Sequence, residues 1–364
     1  MINVTRSAMP DYMEYCNSIK ELWETRHLTN YGENHNKLEK ELTDYLQVKH
    51  LVPVCNGTVA LLLAIDALEL PEGSGIITTP FSFVATSSSI LWQNHIPVFA
   101  DVEADTFNLD PDKLRKKIDS KTKAILAVHV FGNPCNVDKL QELADEYGLK
   151  VLYDAAHCFG VSYKGKSILT YGDLSTLSFH ATKVFHTIEG GAICTSDDTL
   201  AEKARKKCNF GQGKDRLTDE IGINGKLNEF QAIMGLLNLK NLKDNLKKRR
   251  ILYLNYIDEL KDLHITFQRL NCTYDDYNYS YFPVLFEDSH SRDKAFLALQ
   301  SNNIMSRKYF YPLISDMAAY SAYDASDTPI AKDLAERVLT LPLYPDLDIV
   351  DAVRIADIIK SAFK

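Results

Sequence analysis

Two residues in the middle of the chain, Lys183 and Asp154, have the types and positions that chemistry on an aldehyde cofactor requires. Asp154 directly follows the apolar run at residues 151–153, and Lys183 follows the next strand-like run, at residues 176–179. A lysine amine forms a Schiff base with an aldehyde, and a carboxylate beside a pyridine nitrogen keeps that ring protonated, so that it accepts carbanion electrons. The pair therefore indicates an enzyme that uses pyridoxal 5′-phosphate (PLP).

The dipeptide at Gly57 and Thr58 is a candidate site for the phosphate of such a cofactor. It opens a predicted helix over residues 59–68, directly after the apolar run at residues 51–54. Backbone N–H groups at a helix N-terminus lie at the positive end of the helix dipole and bind phosphate. We therefore expect Gly57 and Thr58 to contact the phosphate, although Thr58 would also suit an ordinary first helical turn.

Short apolar runs alternate with helix-like stretches through roughly the first 200 residues, which is typical of a mainly parallel, doubly wound sheet. Leu38, Leu42 and Leu46 follow helical spacing, and residues 124–130 are apolar throughout, as in a strand buried on both faces. Ligands of such sheets bind beyond the carboxyl ends of the strands. We therefore expect Asp154 and Lys183 to share one pocket.

A long helical stretch at residues 227–263 predicts a connector between two domains. After it, residues 279–286 favour a strand and residues 291–300 a helix. We predict an α/β fold with a large PLP-binding domain over residues 1–245 and a small C-terminal α+β domain over residues 246–364. Residues 1–30 are expected to form an irregular arm.

Composition excludes several other classes of protein. The chain of 364 residues is 45% apolar with a formal net charge of −8, which gives nucleic-acid binding little support. Its seven cysteines are odd in number and form no C-x-x-C pair, so we expect reduced thiols, no metal site and a cytoplasmic protein. Neither a signal-peptide core nor a membrane-spanning run is present in the sequence. Dinucleotide, P-loop, H-E-x-x-H and EF-hand motifs are also missing.

Beyond these features, the sequence resembles the DegT/DnrJ/EryC1/StrS sugar aminotransferases almost from end to end. The resemblance is specific because several motifs occur in the family's order. They are residues 55–61 (CNGTVAL), 83–86 (FVAT), 128–134 (VHVFGNP), 154–157 (DAAH), 178–183 (SFHATK), 189–191 (EGG), 222–224 (GIN) and 341–345 (LPLYP).

The resemblance implies a fold-type-I PLP enzyme with pyridoxamine 5′-phosphate as its second cofactor form. It further implies a homodimer with shared active sites, in which the neighbouring subunit contributes Asn224 to the phosphate site. The residues that it implies for cofactor binding are Gly57, Thr58, Phe83, Asp154, His157, Ser178, Lys183 and Asn224.

The resemblance also implies a substrate edge built from several loops. Its residues are Thr29, Asn30, His180, Lys226 and Tyr309. Lys226 departs from the family, which usually has Arg there, and lysine keeps the charge but loses bidentate geometry. For the loops that carry Thr29, Asn30 and Tyr309, ordinary solvated loops are the alternative.

These implications lead to a specific functional hypothesis. We expect an aminotransferase that uses L-glutamate to aminate C-4 of a nucleotide-linked 4-keto-6-deoxyhexose, such as dTDP-4-keto-6-deoxyglucose, for O-antigen lipopolysaccharide. His180 favours C-4, because family members that aminate C-3 more often have Ser-Phe-Tyr-Pro at this segment. The alternatives are a C-3 aminotransferase on a 3-keto dTDP-sugar, a UDP-sugar 4-aminotransferase, and a non-catalytic regulatory or scaffold protein. Lys183 and Asp154 together argue against the scaffold, and Lys183 also argues against a dehydratase branch that has His in its place.

Overall fold

A computed structural model describes residues 1–213, 216–218 and 220–363. Strands and helices alternate through the first part of the chain, as the sequence predicts. The strands are β1 (His50–Val54), β2 (Gly75–Thr78), β3 (Ile96–Phe99), β4 (Thr122–Val128), β5 (Lys150–Asp154), β6 (Ser162–Tyr163), β7 (Lys166–Ser167), β8 (Leu174–Ser178), β9 (Gly191–Thr195), β10 (Ile265–Phe267), β11 (Phe282–Phe286) and β12 (Val338–Leu341).

The α-helices of the described residues surround these strands. They are α1 (Tyr12–Ile19), α2 (Glu21–Thr25), α3 (Glu33–Leu46), α4 (Gly57–Ala67), α5 (Ala85–Trp92), α6 (Pro111–Leu114), α7 (Val137–Tyr147), α8 (Asp198–Cys208), α9 (Glu229–Leu260), α10 (Ser289–Ser301), α11 (Pro329–Arg337) and α12 (Ile349–Ala362). None of them is both long enough and apolar enough to cross a bilayer.

The large sheet has seven strands in the order β1-β9-β8-β5-β4-β2-β3. The pairs from β8 to β3 are parallel, and β9 is antiparallel to both of its neighbours. Central strands such as β4 are buried almost throughout because helices cover both faces of the sheet, which explains their continuous apolar sequence. The expected mainly parallel, doubly wound α/β fold is confirmed.

A second, antiparallel sheet has the order β10-β11-β12 and packs with helices near the end of the chain. Its hydrophobic core includes Phe282, Leu339 and Ile355. The helix α9, from Glu229 to Leu260, contributes to this core and to that of the large sheet. It therefore runs through the predicted domain boundary at residue 245, and that boundary stays a prediction.

The first 25 residues contain more structure than the irregular arm that the sequence predicts. Helices α1 and α2 pack on α9, where the ring of Trp23 meets Phe230 edge to face at 5.9 Å. Helix α1 has no buried residue and α2 only one, but the apolar residues Tyr12, Tyr15 and Ile19 of α1 follow helical spacing that the prediction of an irregular arm overlooked. Residues 2–8 precede them as an extended arm, whose backbone joins residues 303–305 through Ile2.

Candidate active site

The two residues expected to do chemistry lie at the carboxyl edge of the large sheet. Asp154 is the last residue of β5, and Ser178 ends the neighbouring parallel strand β8. Lys183 follows in the loop that links β8 to β9. Because parallel strands bring their carboxyl ends to one edge, residues separated in sequence converge here.

Asp154 is a buried carboxylate held by two hydrogen bonds. The hydroxyl of Thr86 donates to its Oδ2 at 2.8 Å, and the backbone N–H of Ala156 donates to its Oδ1 at 3.1 Å. Burial raises the pKa of Asp154, whereas these two donors and the charge of Lys183 oppose that rise. The two donors thus fix the orientation of the Asp154 carboxylate. Among the described side chains, no cation forms an ion pair with it.

Lys183 lies in a narrow cleft that is also lined by His157, Thr182, Ser280 and Tyr281. Burial lowers the pKa of the Lys183 amine, and the charge of Arg307 lowers it further, against the charges of Tyr309 and Asp154. The cleft therefore favours the neutral amine, which is the form that attacks an aldehyde.

His157 lines the same cleft and contacts a cluster of aromatic rings. Its ring is parallel to those of Phe131 and Phe310, with centroids at 6.4 and 6.3 Å, and lies 4.7 Å from that of Tyr281. Its Nδ1 is buried and has no hydrogen-bond partner among the described residues. Burial lowers the pKa of His157 well below its usual value, so the ring is neutral and one polar atom is left for a ligand.

The predicted phosphate site is built from the start of α4 and the end of β8. Asn56 caps the helix by accepting from the N–H of Val59 at 2.8 Å. A Cβ on Gly57 would lie only 2.8 Å from that of Ser178, so glycine is required for this close approach. Thr58 is exposed at the same helix end, and Ser178 is half-buried beneath it. Helix end and hydroxyl together form an anion cradle.

Phe83 lies just before α5, the helix that carries Thr86. It is 54% exposed, although the neighbouring Phe81 is fully buried. Its backbone carbonyl accepts from the N–H of Thr86 at 3.1 Å, so its position is tied to the residue that holds Asp154. An exposed aromatic ring fixed in this way is available to stack on a planar ligand.

Tyr309 and Tyr281 close the other side of the cleft. Their ring centroids are 5.8 Å apart, and the guanidinium of Arg307 lies 5.3 Å from the centre of the Tyr309 ring. Burial raises the pKa of Tyr309 to about 12, so its hydroxyl stays protonated at neutral pH. Arg307 is exposed and has no carboxylate within ion-pair distance in the described part of the chain, which leaves a cation at the mouth of the cleft.

His180 lies on the exposed side of the Lys183 loop. Its Nδ1 is 2.8 Å from the hydroxyl of Thr182, and its Nε2 is 3.7 Å from the carboxylate of Glu189. These contacts turn the ring toward solvent, where it lies beside the lysine loop without covering Lys183. His180 can therefore meet a substrate that enters from outside.

The remaining predicted residues, Thr29, Asn30, Asn224 and Lys226, are not part of the lining of the cleft at Lys183. Thr29 and Asn30 are exposed in the loop before α3, which packs on the start of α9 through a hydrogen bond from the Glu229 N–H to the Leu28 carbonyl. Asn224 is also exposed, and Lys226 donates to Asn209 at 2.8 Å and lies 4.6 Å over the ring of Phe210. The segment of Asn224 and Lys226 thus contacts the end of α8, and its Gly225 carbonyl accepts from the N–H of Cys55, just before α4, at 2.6 Å.

Sequence reasoning missed the roles of Thr86 and Tyr281. Thr86 is part of the FVAT motif, but nothing in the sequence shows that it faces Asp154, which is far away in the chain. Tyr281 was visible only as a residue of a predicted strand. One signal could have found Thr86, because a buried carboxylate needs a donor and Thr86 lies one helical turn from Phe83.

Fold and cleft together define a PLP-dependent aminotransferase, and comparisons with known proteins agree. The model of the DegT/DnrJ/EryC1/StrS aminotransferase family matches residues 12–360. The chain belongs to this family.

Individual relatives extend the comparison over the full length. A dTDP-4-amino-4,6-dideoxy-D-glucose transaminase of Escherichia coli is 41% identical over 367 residues, covering 98% of each chain. The crystal structure of DesI in the presence of its TDP-sugar product is 31% identical with a TM-score of 0.92, covering 99% of this chain and 93% of DesI. NtdA from Bacillus subtilis, with bound cofactor PMP, is 28% identical with a TM-score of 0.87, covering 96% of this chain and 82% of that one.

The residues present fit such a cofactor. The cradle of Gly57 and Ser178 suits a phosphate, Asp154 suits a ring nitrogen, and the neutral amine of Lys183 suits an aldehyde. The unpartnered Nδ1 of His157 offers a further polar contact within the same cleft.

Proposed function

We propose that this aminotransferase moves the amino group of L-glutamate to C-4 of dTDP-4-keto-6-deoxyglucose, giving the 4-amino-4,6-dideoxy sugar. The observation that carries the proposal is the convergence of Lys183 and Asp154 at one edge of the sheet, with the pKa of each shifted by burial. When bound, PLP supplies an aldehyde that condenses with amines and a cationic ring that accepts an electron pair.

The chain's own groups would then have separate tasks. The Lys183 amine, whose pKa burial lowers, would bind the aldehyde and, once released, would move a proton between donor and acceptor carbons. The Asp154 carboxylate, fixed by Thr86, holds the ring nitrogen in its protonated form. Phe83 and His157 are proposed to lie against the ring, and Gly57, Thr58 and Ser178 to hold the phosphate.

The sugar and its nucleotide are supported by the relatives. The Escherichia coli relative is named for the dTDP-linked 4-amino product, and DesI was crystallised in the presence of a TDP-sugar. His180 is exposed on the Lys183 loop, where a sugar would enter, and the exposed Arg307 beside Tyr309 can meet an anionic group of either substrate. A role in O-antigen biosynthesis rests on the sequence resemblance alone.

We also propose a homodimer in which each subunit completes the other's site. Its support is that Thr29, Asn30 and Asn224 are exposed and that they and Lys226 do not line the Lys183 cleft of their own chain. The same part of the surface exposes apolar side chains that a second copy would cover: Met9, Tyr12, Trp23 and Ile221 are 66, 76, 66 and 91% exposed. Light scattering that shows a fully active monomer would contradict this.

A cytoplasmic location is likewise a proposal. All seven cysteines are free thiols, which suits a reducing compartment. Cell fractionation with an activity assay on each fraction would test it, and activity confined to the periplasm would contradict it.

The decisive experiment combines a product assay with one substitution. The protein is incubated with glutamate and, separately, with 4-keto and 3-keto sugars linked to dTDP or UDP, and the product is identified by NMR. Nitrogen at C-4 of the dTDP-sugar is expected; nitrogen at C-3, or turnover of UDP-sugars alone, would overturn the substrate assignment. Lys183→Ala should remain folded without turnover, whereas Lys40→Ala, on the exposed face of α3, should behave as wild type.

A further inference from the structure

A second histidine, His186, lies in the same loop as Lys183 but points in the opposite direction. It is 1% exposed and takes no part in the cleft described above. Its Nε2 lies 2.6 Å from the carbonyl oxygen of Ala8, and its Nδ1 accepts from the N–H of Ile188 at 3.2 Å. Backbone groups of two different segments thus engage the two ring nitrogens, and Nδ2 of Asn238 also lies 3.4 and 3.3 Å from Nδ1 and Nε2.

These contacts determine the tautomer. A carbonyl oxygen requires N–H at Nε2, and a backbone N–H requires a lone pair at Nδ1, so the ring is neutral. Burial lowers the pKa of His186, in agreement with that form. The carbonyl of His186 itself accepts from Nδ2 of Asn238, on α9, at 2.9 Å. The residue is therefore fixed from three sides.

The loop that contains His186 is also held by the buried ring of Phe185, which stacks on Phe159 at 4.3 Å, and by short-range backbone contacts. Lys183 N–H donates to the His180 carbonyl at 2.9 Å, and Thr187 N–H to the Phe179 carbonyl at 3.0 Å. Ile188 has a φ of +72°, an unfavourable conformation for a branched residue. The hydrogen bond from its N–H to His186 helps to hold the turn in that conformation.

The segment on the other side of His186 is the arm of residues 2–8. Ile2 exchanges backbone hydrogen bonds with Asn303 and Met305 at 2.9 and 2.8 Å, and the Val4 carbonyl accepts from Leu343 at 3.2 Å. Those partners belong to the part of the chain around the small sheet. The arm thus connects the small sheet to the loop of Lys183, and Ala8 to His186 is its contact at the loop.

We propose that His186 is a positioning residue that sets the Lys183 loop and fastens it to the N-terminal arm. It does so through two separable hydrogen bonds, one that fixes the turn at Ile188 and one that holds Ala8. The proposal rests on the catalytic role proposed for Lys183. A lysine amine that must reach both cofactor and substrate carbons gains rate from a fixed backbone.

Two conservative substitutions separate the bonds. In His186→Asn the side-chain oxygen occupies the place of Nδ1, so the Ile188 bond is kept and the Ala8 bond is lost. In His186→Gln the amide nitrogen reaches the place of Nε2, so the Ala8 bond is kept and the Ile188 bond is lost. Hydrogen–deuterium exchange should rise roughly fivefold in the arm for the Asn variant and in residues 186–190 for the Gln variant.

Two further measurements test whether His186 positions Lys183. PLP should condense with Lys183 roughly tenfold more slowly in both variants, as followed by absorbance, and kcat should fall to a similar extent with little change in KM. His264→Asn, at an exposed position after α9, is the matched control and should match wild type in all assays. The exchange and condensation measurements need no sugar substrate, so they test the role of His186 even if the proposed sugar is wrong.

Unchanged exchange in the arm of the Asn variant would overturn the contact between arm and loop. Faster arm exchange with wild-type condensation and kcat would overturn the positioning role. If neither variant folds, deletion of residues 1–9 removes the same contact from the other side. That deletion should slow condensation as His186→Asn does, and wild-type condensation in it would overturn the proposal.

Discussion

The substitution Thr86→Val tests how the charge of Asp154 is maintained. Valine keeps the branched shape of threonine but removes the hydroxyl that donates to Asp154 at 2.8 Å. A hydrogen bond to a charged group contributes ~1.5–3 kcal/mol, and ~1.4 kcal/mol corresponds to one pH unit. Because that bond favours the carboxylate and burial already raises the pKa of Asp154, its loss raises the pKa further.

The assay is the pH dependence of kcat/KM from about pH 5 to pH 9. The acidic limb of the profile should move roughly one to two pH units upward in Thr86→Val, because the carboxylate takes up its proton at higher pH. Thr86→Ser retains the hydroxyl and should return the limb close to its wild-type position. An acidic limb that does not move in a folded Thr86→Val protein would refute this account of Asp154.

Three further outcomes follow from the structure. Gly57→Ala places a Cβ 2.8 Å from that of Ser178 and should weaken PLP binding by ~1–3 kcal/mol; an unchanged Kd in a spectroscopic titration would contradict the cradle. Asp154→Asn should retain PLP but lose most of its turnover, and near wild-type rates would show that another group protonates the ring. Burial lowers the pKa of His129 to about 3, so the unfolded chain binds its proton first and stability falls as pH drops below ~6.5. His129→Phe should therefore show a shallower loss of unfolding free energy between pH 6.5 and 4 in urea titrations, and equal slopes would exclude this contribution.

The sequence was sufficient for the fold because its signals are local. Leu38, Leu42 and Leu46 are all buried on α3, and the predicted long helix is present as α9. The apolar run predicted at residues 124–130 is β4, which ends two residues earlier than expected. Local periodicity marks such elements but fixes their ends poorly, since end residues are decided by capping and neighbouring strands.

Only those residues of the candidate site that belong to recognisable sequence motifs could be predicted from the sequence. Lys183 and His157 line one cleft, and Asp154 ends β5 three residues before His157. Their joint role in binding a cofactor stays a prediction. The hydroxyl of Thr86 on Asp154 and the ring of Tyr281 in the cleft depend on packing between distant segments, which local patterns do not reveal. Asn224 is exposed and does not line the cleft of its own chain, so its proposed role in a second subunit could come only from resemblance.

The continuous course of α9 determines how the protein should unfold. With 32 residues the helix is about 48 Å long, and its first half packs in the core of the large sheet while Leu252, Tyr256 and Leu260 pack in the core of the small one. Melting either core would remove the tertiary support of half the helix, and long helices depend on such support for stability. The folding of the two cores is therefore thermodynamically coupled. We expect both cores to lose structure in a single cooperative transition.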